Sequence, residues 1–339
     1  MDVYITDKDL NDIAVIDHAN VIWNRKYNDV GEFELYAPAS KELFGLAKEG
    51  VFAYREDSDS VMVLEKTQTK TDQEAGDFIT ISGRGAESLL DRRIIWNQTN
   101  INEDAAQAAV RIANENLIMP MDEDRKLSIL SLGRIAPAQR ITQRQFWGKS
   151  LLDALKELLA LADMGFCVRR EERTLKLDIY RGVDRSEEVL FCPEYDNLLR
   201  SEHIHDRTEH KNTALVSGEG EGDVKKTCSV GTTAGIKRRE LYVEKSSIST
   251  NEGEITEENY LSILKGEGEA ALTEKKVTET VNVEITPGGV FRYGIEYNLG
   301  DIVTVQDDFE NTKKVRIVQV AENSDENGEN LVLSCENIK

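Results

Sequence analysis

Residues 21–38 read VIWNRKYNDVGEFELYAP, and the reading of this stretch decides the fold. Its second part, Glu32-Phe33-Glu34-Leu35-Tyr36, alternates acidic and apolar side chains, so Phe33 and Leu35 share one face of a strand while Glu32 and Glu34 face water. Asn28-Asp29-Val30-Gly31 in front of it supplies the backbone freedom of a turn. Trp23 and Tyr27 lie on the strand before the turn, and Pro38 ends the strand after it. An aromatic-rich hairpin of this kind predicts a β-domain, with Trp23, Phe33 and Leu35 in its core.

Outward from the hairpin, residues 1 to about 90 read mainly as strands: Val3 to Ile5, Ile13 to Ile16, Val51 to Tyr54, Val61 to Thr67 and Phe78 to Ser82, with one short helix from Lys41 to Lys48. Such strand density predicts a small antiparallel barrel or sandwich. Residues 91–200 change character. Asn102 is placed to cap a helix carrying alanines at 105, 106, 109 and 113, which ends before Pro120. Ser150 with Asp153 forms a second cap signal, and Leu151, Leu152, Leu155, Leu158, Leu159 and Ala162 follow on one helical stripe up to Gly165. Strands at Phe166 to Arg169 and Leu175 to Tyr180 complete a predicted α/β insertion. From 201 to 339 strands return, interrupted by a helix near Glu257 to Lys275.

The two strand-rich regions read alike. Val51 to Ser82 runs strand, acidic turn (Glu56-Asp57), strand, turn (residues 72–76), strand; Ile302 to Ser334 runs strand, acidic turn (Asp307-Asp308), strand, turn (residues 325–328), strand. Meander sheets also resemble each other by chance, so the pattern admits duplication or coincidence.

Composition narrows the class. The 339 residues carry 42 basic and 63 acidic side chains, a net charge of −21 that repels phosphate and disfavours sequence-specific nucleic-acid binding or an anionic membrane surface. Part of that charge could line a channel. No apolar run is long enough for a membrane span, and the start, Met1-Asp2-Val3-Tyr4, reads as a strand and not a leader. The four cysteines (167, 192, 228 and 335) form no CxxC and suit free thiols in a reducing compartment.

The hairpin also resembles a known family. An apolar-Trp-x-Arg-x-Tyr strand, a turn, Gly-Glu-Phe and a closing proline (Trp23, Arg25, Tyr27, Gly31, Glu32, Phe33, Pro38) are similar to the N-terminal signature of siphophage and prophage tail-tip, or baseplate, hub proteins. Ile81-Ser82-Gly83-Arg84-Gly85, running into Ser88 to Arg93, resembles the step that closes their first domain. Tyr297-Asn298-Leu299-Gly300-Asp301 to Val305 resembles the strand entry of their last barrel. The resemblance implies an α+β, mainly β fold of two tube-like antiparallel β-barrel domains with an inserted α/β domain. The first barrel is expected at 1–90, completed by strands from about 200–235, the insertion at 91–200 and the second barrel at 201–339. It implies a structural hub subunit, not an enzyme, with no cofactor. Its partners would be two further copies in a homotrimeric pseudo-six-fold ring, a distal tail or tail-tube protein, the tape-measure protein, and tail-fibre or receptor-binding proteins. The ring would sit at the virion tail tip as a DNA conduit, assembled in the host cytoplasm. Some relatives carry a C-terminal peptidase or muramidase domain; none is expected here, because the last predicted strand runs almost to Lys339. For contacts between copies, sheet-edge pairing is expected, with Ile302 to Val305 as the edge.

Chemical motifs offer little against this. Ser217 to Asp223 has phosphate-loop glycines but three intervening acids; Gly148-Lys149-Ser150 lacks the first glycine of a P-loop, Gln143 standing in its place. His203, His205 and His210, near Asp206 and Glu209, are the one candidate metal set, weighed against a solvated face. They would serve a metal-dependent hydrolase. The other rival is a tail-borne cell-wall-binding or hydrolytic module, for which Trp96 and Trp147 are the one aromatic platform; both are expected to pack internally.

Overall fold

The computed structural model describes residues 2–16, 20–46, 50–72, 76–250, 255–285, 289–306, 311–326 and 328–338. The predicted end of the first helix (residues 47–48), the turn at residues 73–75, the acidic pair Asp307-Asp308 and residue 327 lie outside these. Strand makes up 47% of the chain and helix 21%, so the fold is mainly β.

The N-terminal part contains β1 (Val3–Thr6), β2 (Asp12–Ile16), β3 (Asn20–Lys26), β4 (Glu32–Pro38), α1 (Lys41–Leu46), β5 (Phe52–Tyr54), β6 (Val61–Asp72) and β7 (Gly76–Gly85). The strand β4 is buried at Phe33, Leu35 and Ala37 and exposed between them, the period-two pattern read from its sequence. Next come β8 (Thr99–Asp104), α2 (Ala105–Ala113), β9 (Leu130–Ile135), β10 (Ile141–Phe146), α3 (Leu151–Leu161), β11 (Gly165–Glu171) and β12 (Thr174–Tyr180). The leucine stripe of α3 is fully buried at Leu155, Leu158 and Leu159, in one core with the alanines of α2 and with Phe166, Leu175 and Leu177. Leu10, Phe52, Val61 and Val63 join the same core, so the insertion packs on one face of the N-terminal strands.

The chain then runs through β13 (Leu190–Phe191), β14 (Leu198–Asp206), β15 (Thr213–Ser217), β16 (Thr227–Val230), β17 (Glu240–Glu244), α4 (Glu257–Glu274), β18 (Thr278–Ile285), β19 (Ile302–Gln306), β20 (Thr312–Asp325) and β21 (Gly328–Asn337). Strands β16, β15 and β17 form a separate small sheet under α4, with a core of Ala214, Val216, Ile248, Tyr260 and Leu264.

One sheet unites both ends of the chain. Its order is β14-β18-β21-β20-β3-β4-β7-β6-β5-β1-β2, with β19 and β13 branching beside β20. Strand β20 makes the join: residues 312–316 pair with β19, whereas residues 319–324 pair with β3. Within this sheet the order β5-β6-β7-β4-β3 repeats as β19-β20-β21-β18-β14. Even the irregularities match. A bulge falls at Glu65 in β6, which ends at Asp72, and at Val318 in β20, which ends at Asp325.

Four expectations are corrected. Neither half closes into a barrel; the sheet stays open, because β14 at one end and β2 at the other have no second neighbour among the described residues. Strands from 200–235 do not complete the first half: β14 pairs with β18, and β15 and β16 belong to the small sheet. Ile302 to Val305 is not an edge, since β19 lies between β20 and β13. Asn102 sits within β8; the cap of α2 is Asp104, whose carboxylate accepts the Ala106 and Gln107 N–H groups.

Candidate assembly surface

Four of the signature residues, Tyr27, Leu299, Gly300 and Asp301, meet where the three parts of the chain join. Tyr27, at the end of β3, is buried; its ring lies edge-on to Tyr180, with centroids 5.4 Å apart. Its hydroxyl donates toward the carbonyls of Asp163 (3.3 Å) and Tyr180 (3.4 Å) and accepts the Gly182 N–H at 3.4 Å. Burial pushes its phenol pKa up. Three glycines make room for this ring and its neighbours. A Cβ on Gly165 would lie 2.3 Å from the Tyr27 ring, one on Gly300 2.4 Å from it, and one on Gly182 1.8 Å from the Gly300 carbonyl oxygen. Arg316 closes the junction: it donates to the Gly300 carbonyl at 2.7 Å and to Asp163 at 2.5 Å, over the Tyr27 ring. Asp301, 3% exposed, accepts the N–H groups of Val183 (2.7 Å) and Asn298 (2.9 Å) and the Arg185 guanidinium at 3.2 Å. Leu299 lies in the same C-terminal core as Tyr27.

The other signature positions pack the N-terminal half and, through Arg25, tie it to β20. Trp23 is fully buried against Phe33 and donates its indole N–H to Ser60 Oγ at 2.8 Å. Arg25 pairs with Glu322 of β20 at 2.5 Å, and Arg55, almost fully buried, reaches both Glu322 and Asp57. Glu32 accepts from Asn24 and Lys26. A Cβ on Gly31 would lie 2.5 Å from the Asn24 carbonyl, and one on Gly83 1.9 Å from the Val63 carbonyl beside the bulge. Pro38 ends β4, opposite Phe78. Behind this cluster Glu87 accepts the Val168 N–H at 2.9 Å; burial pushes its carboxyl up to about 7, against that hydrogen bond.

The histidines do not converge. His203 and His205 stand on β14, His205 pairing with Glu279 at 2.9 Å, while His210 lies beyond the strand and meets the Lys275 carbonyl. Among the described residues no group of three or more His, Cys, Asp and Glu is placed to hold a metal. Trp96 and Trp147 do not pack internally: they are 54% and 62% exposed, because each lies in a connecting segment outside the leucine core. Arg125 stacks over the Trp96 ring at 4.2 Å.

Two segments carry exposed backbone edges. Residues 199–206 of β14 are exposed throughout, and among the described residues β14 has β18 as its one neighbour. Residues 65–71 of β6 are equally exposed, and among the described residues β5 pairs with that strand's outer edge only at residues 61–63. Unpaired edges of this kind are templates for strand addition. Sequence reasoning missed both, because a strand edge has no residue signature, and it missed Arg316 and Tyr180, whose partners lie far away in the chain.

The architecture has counterparts among solved structures. The 43 kDa tail protein of prophage MuSo2 from Shewanella oneidensis superposes with a TM-score of 0.58 at 15% identity, covering 99% of this chain and 98% of that one. A tail protein from Neisseria meningitidis MC58 gives 0.58 at 12% identity, covering 99% and 95%. Prophage tail protein gp18 from Listeria monocytogenes EGD-e gives 0.55 at 12% identity, covering 98% and 94%. At these identities the likeness is one of fold. No curated protein matches the chain. The model of the siphovirus ReqiPepy6 Gp37-like protein family matches residues 2–334, and the chain belongs to that family.

Proposed function

We propose that this chain is the hub subunit at the tip of a phage or prophage tail, a structural protein and not an enzyme. The observation that carries the reading is the repeated half-sheet, β5-β6-β7-β4-β3 and β19-β20-β21-β18-β14, in a fold shared along its whole length with prophage tail proteins. Two similar half-sheets per chain let three copies present six similar units around one axis, matching the six-fold end of a tail tube. In this reading residues 1–90 form the first tube unit, 91–200 the insertion and 201–339 the second unit, which carries the small sheet and α4 as an outgrowth. Each unit is open alone and closes only through its neighbours in the ring. An acidic lumen, drawn from the net charge of −21, lets DNA pass without adhering. The ring contacts a tail-tube or distal tail protein on one side, and the tape-measure and fibre or receptor-binding proteins elsewhere. Its place is the virion tail tip, after assembly in the host cytoplasm. Measurement of the molar mass of the purified protein, alone and mixed with its tail-tube partner, tests this: a trimer is expected, and a chain monomeric with every tail partner refutes it.

A second reading is favoured by one observation, the exposure of Trp96 and Trp147. The segment 94–102 (IIWNQTNIN) bears no charge of its own, and the Arg125 guanidinium lies over the Trp96 ring at 4.2 Å, so the platform offers exposed indole surface beside a cation to a cell-wall glycan. Pull-down on purified cell walls decides: binding lost in Trp96→Ala and Trp147→Ala supports it, and absence of binding removes it.

A further inference from the structure

The chain contains one half-sheet contact within itself, and its repeat defines where the next one falls. Inside the molecule β3 pairs antiparallel with residues 319–324 of β20. The partners of β3 and β20 in the other half follow by walking across the ladders. Lys66 faces Ser82, Ser82 faces Glu34, and Glu34 faces Ile22. In the other half Gln319 faces Ser334, Ser334 faces Asn282, and Asn282 faces Glu202. Thus 66–71 of β6 correspond to 319–324 of β20, and 201–206 of β14 correspond to 21–26 of β3. The two corresponding segments differ in one respect. Val21, Trp23 and Asn24 of β3 are buried, whereas residues 201–206 of β14 and 66–71 of β6 are exposed.

We propose that β14 of one copy pairs antiparallel with residues 66–71 of β6 in the next copy, in the register of the internal β3–β20 contact. This rests on the hub reading for the number of copies, but the register itself comes from the repeat. Internally Gln319 faces Lys26 and Asn323 faces Ile22. The same register between copies sets Asp206 opposite Lys66 and Glu202 opposite Lys70, with Ile204 facing Gln68 and Ser201 facing Thr71. Both directly opposed charged pairs are therefore of opposite sign, in a chain whose acids greatly outnumber its bases. Lys66 and Lys70 have no ion-pair partner among the described residues, so both are available. A contact joining two different surfaces is heterologous, and repeated around an axis it generates a ring. The strand carrying His203 and His205 is thereby an assembly edge, not a metal site.

Charge reversal and cross-linking test the register on the full-length protein, alone and with its tail-tube partner. The double variants K66E/K70E and E202K/D206K should each raise the concentration needed for assembly at least about tenfold. The quadruple swap should restore assembly. All six side chains involved are exposed, and E202K/D206K gives up two surface hydrogen bonds, from Asn282 to Glu202 and from the Thr208 N–H to Asp206, so each variant's melting temperature is measured alongside assembly and should change little; a cysteine pair, Gln68→Cys with Ile204→Cys, gives an independent reading. Under oxidation it should yield covalent dimers and trimers linked head to tail. Trimers that assemble normally with reversed charges and never cross-link would overturn this register while leaving the hub reading intact. A chain monomeric with every tail partner would overturn both.

Discussion

Substitution of Gly300 by alanine probes the junction most sharply. Gly300 has a φ of +93°, a region that disfavours side chains, and its added Cβ would lie 2.4 Å and 2.7 Å from two Tyr27 ring carbons and 3.3 Å from Tyr180. Carbon atoms rest at about 3.5–4.0 Å, so the Tyr27 ring would have to move by more than about 1 Å. It has nowhere to go: the Gly165 backbone lies against it, and its hydroxyl is held by Gly182 and the Asp163 carbonyl. Overpacking costs about 1–3 kcal/mol and the backbone conformation about 1–2 kcal/mol, so Gly300→Ala should destabilise by about 2–5 kcal/mol. In a Tyr27→Ala background the clash disappears and only the backbone cost of about 1–2 kcal/mol should remain. Equilibrium urea unfolding of the four proteins, followed by near-ultraviolet circular dichroism, measures the coupling. Costs equal in both backgrounds to within about 0.5 kcal/mol would show that Tyr27 and Gly300 do not share one packing site.

Three other outcomes follow from the same structure. Leu155→Ala and Leu158→Ala, both fully buried on α3, should each cost about 2–5 kcal/mol in urea unfolding; a variant of unchanged midpoint would mean that α3 does not pack as described. Replacing His203, His205 and His210 together by Gln should leave the melting temperature nearly unchanged, and loss of a stoichiometric metal with a large fall in melting would revive the metal site. Glu87 has a folded pKa of about 7 against an ordinary 4.5, so between these values the folded chain holds more protons than the unfolded one and stability falls as pH rises. Glu87→Gln removes that loss: its advantage over the wild type should be near zero at acidic pH and grow to about 3 kcal/mol above pH 7. An advantage equal at acidic and alkaline pH would mean that Glu87 is not desolvated beside Arg25, Asp59 and Cys167.

The legible parts of the fold were those encoded by neighbours in sequence. The alternation of residues 32–36 and the leucine stripe of α3 each specify one face of one element, and both faces are buried where the pattern put them. The half-sheet repeat was visible as a pattern of strands and turns, yet its proof lies in strand order and matching bulges, which only pairing reveals. Barrel closure was not legible, since it depends on whether the last strand finds a neighbour in its own chain or in another. Trp96 and Trp147 illustrate a further limit: side-chain chemistry favours burial, but both fall in connecting segments, and there the tertiary context decides. Gly300, Asp301 and Tyr27 were recognisable as a signature, whereas their joint role depends on Arg316, Tyr180 and Gly182, brought together only by folding.

The proposed ring holds three copies of this chain, and so six similar units, around a channel. Electron-microscopic class averages of the isolated assembly, or of the tail tip that contains it, test this most directly. A three-fold ring with six similar lobes around an open centre is expected. A single lobed particle without three-fold symmetry at the tail tip, or a chain located elsewhere in the particle, would contradict it.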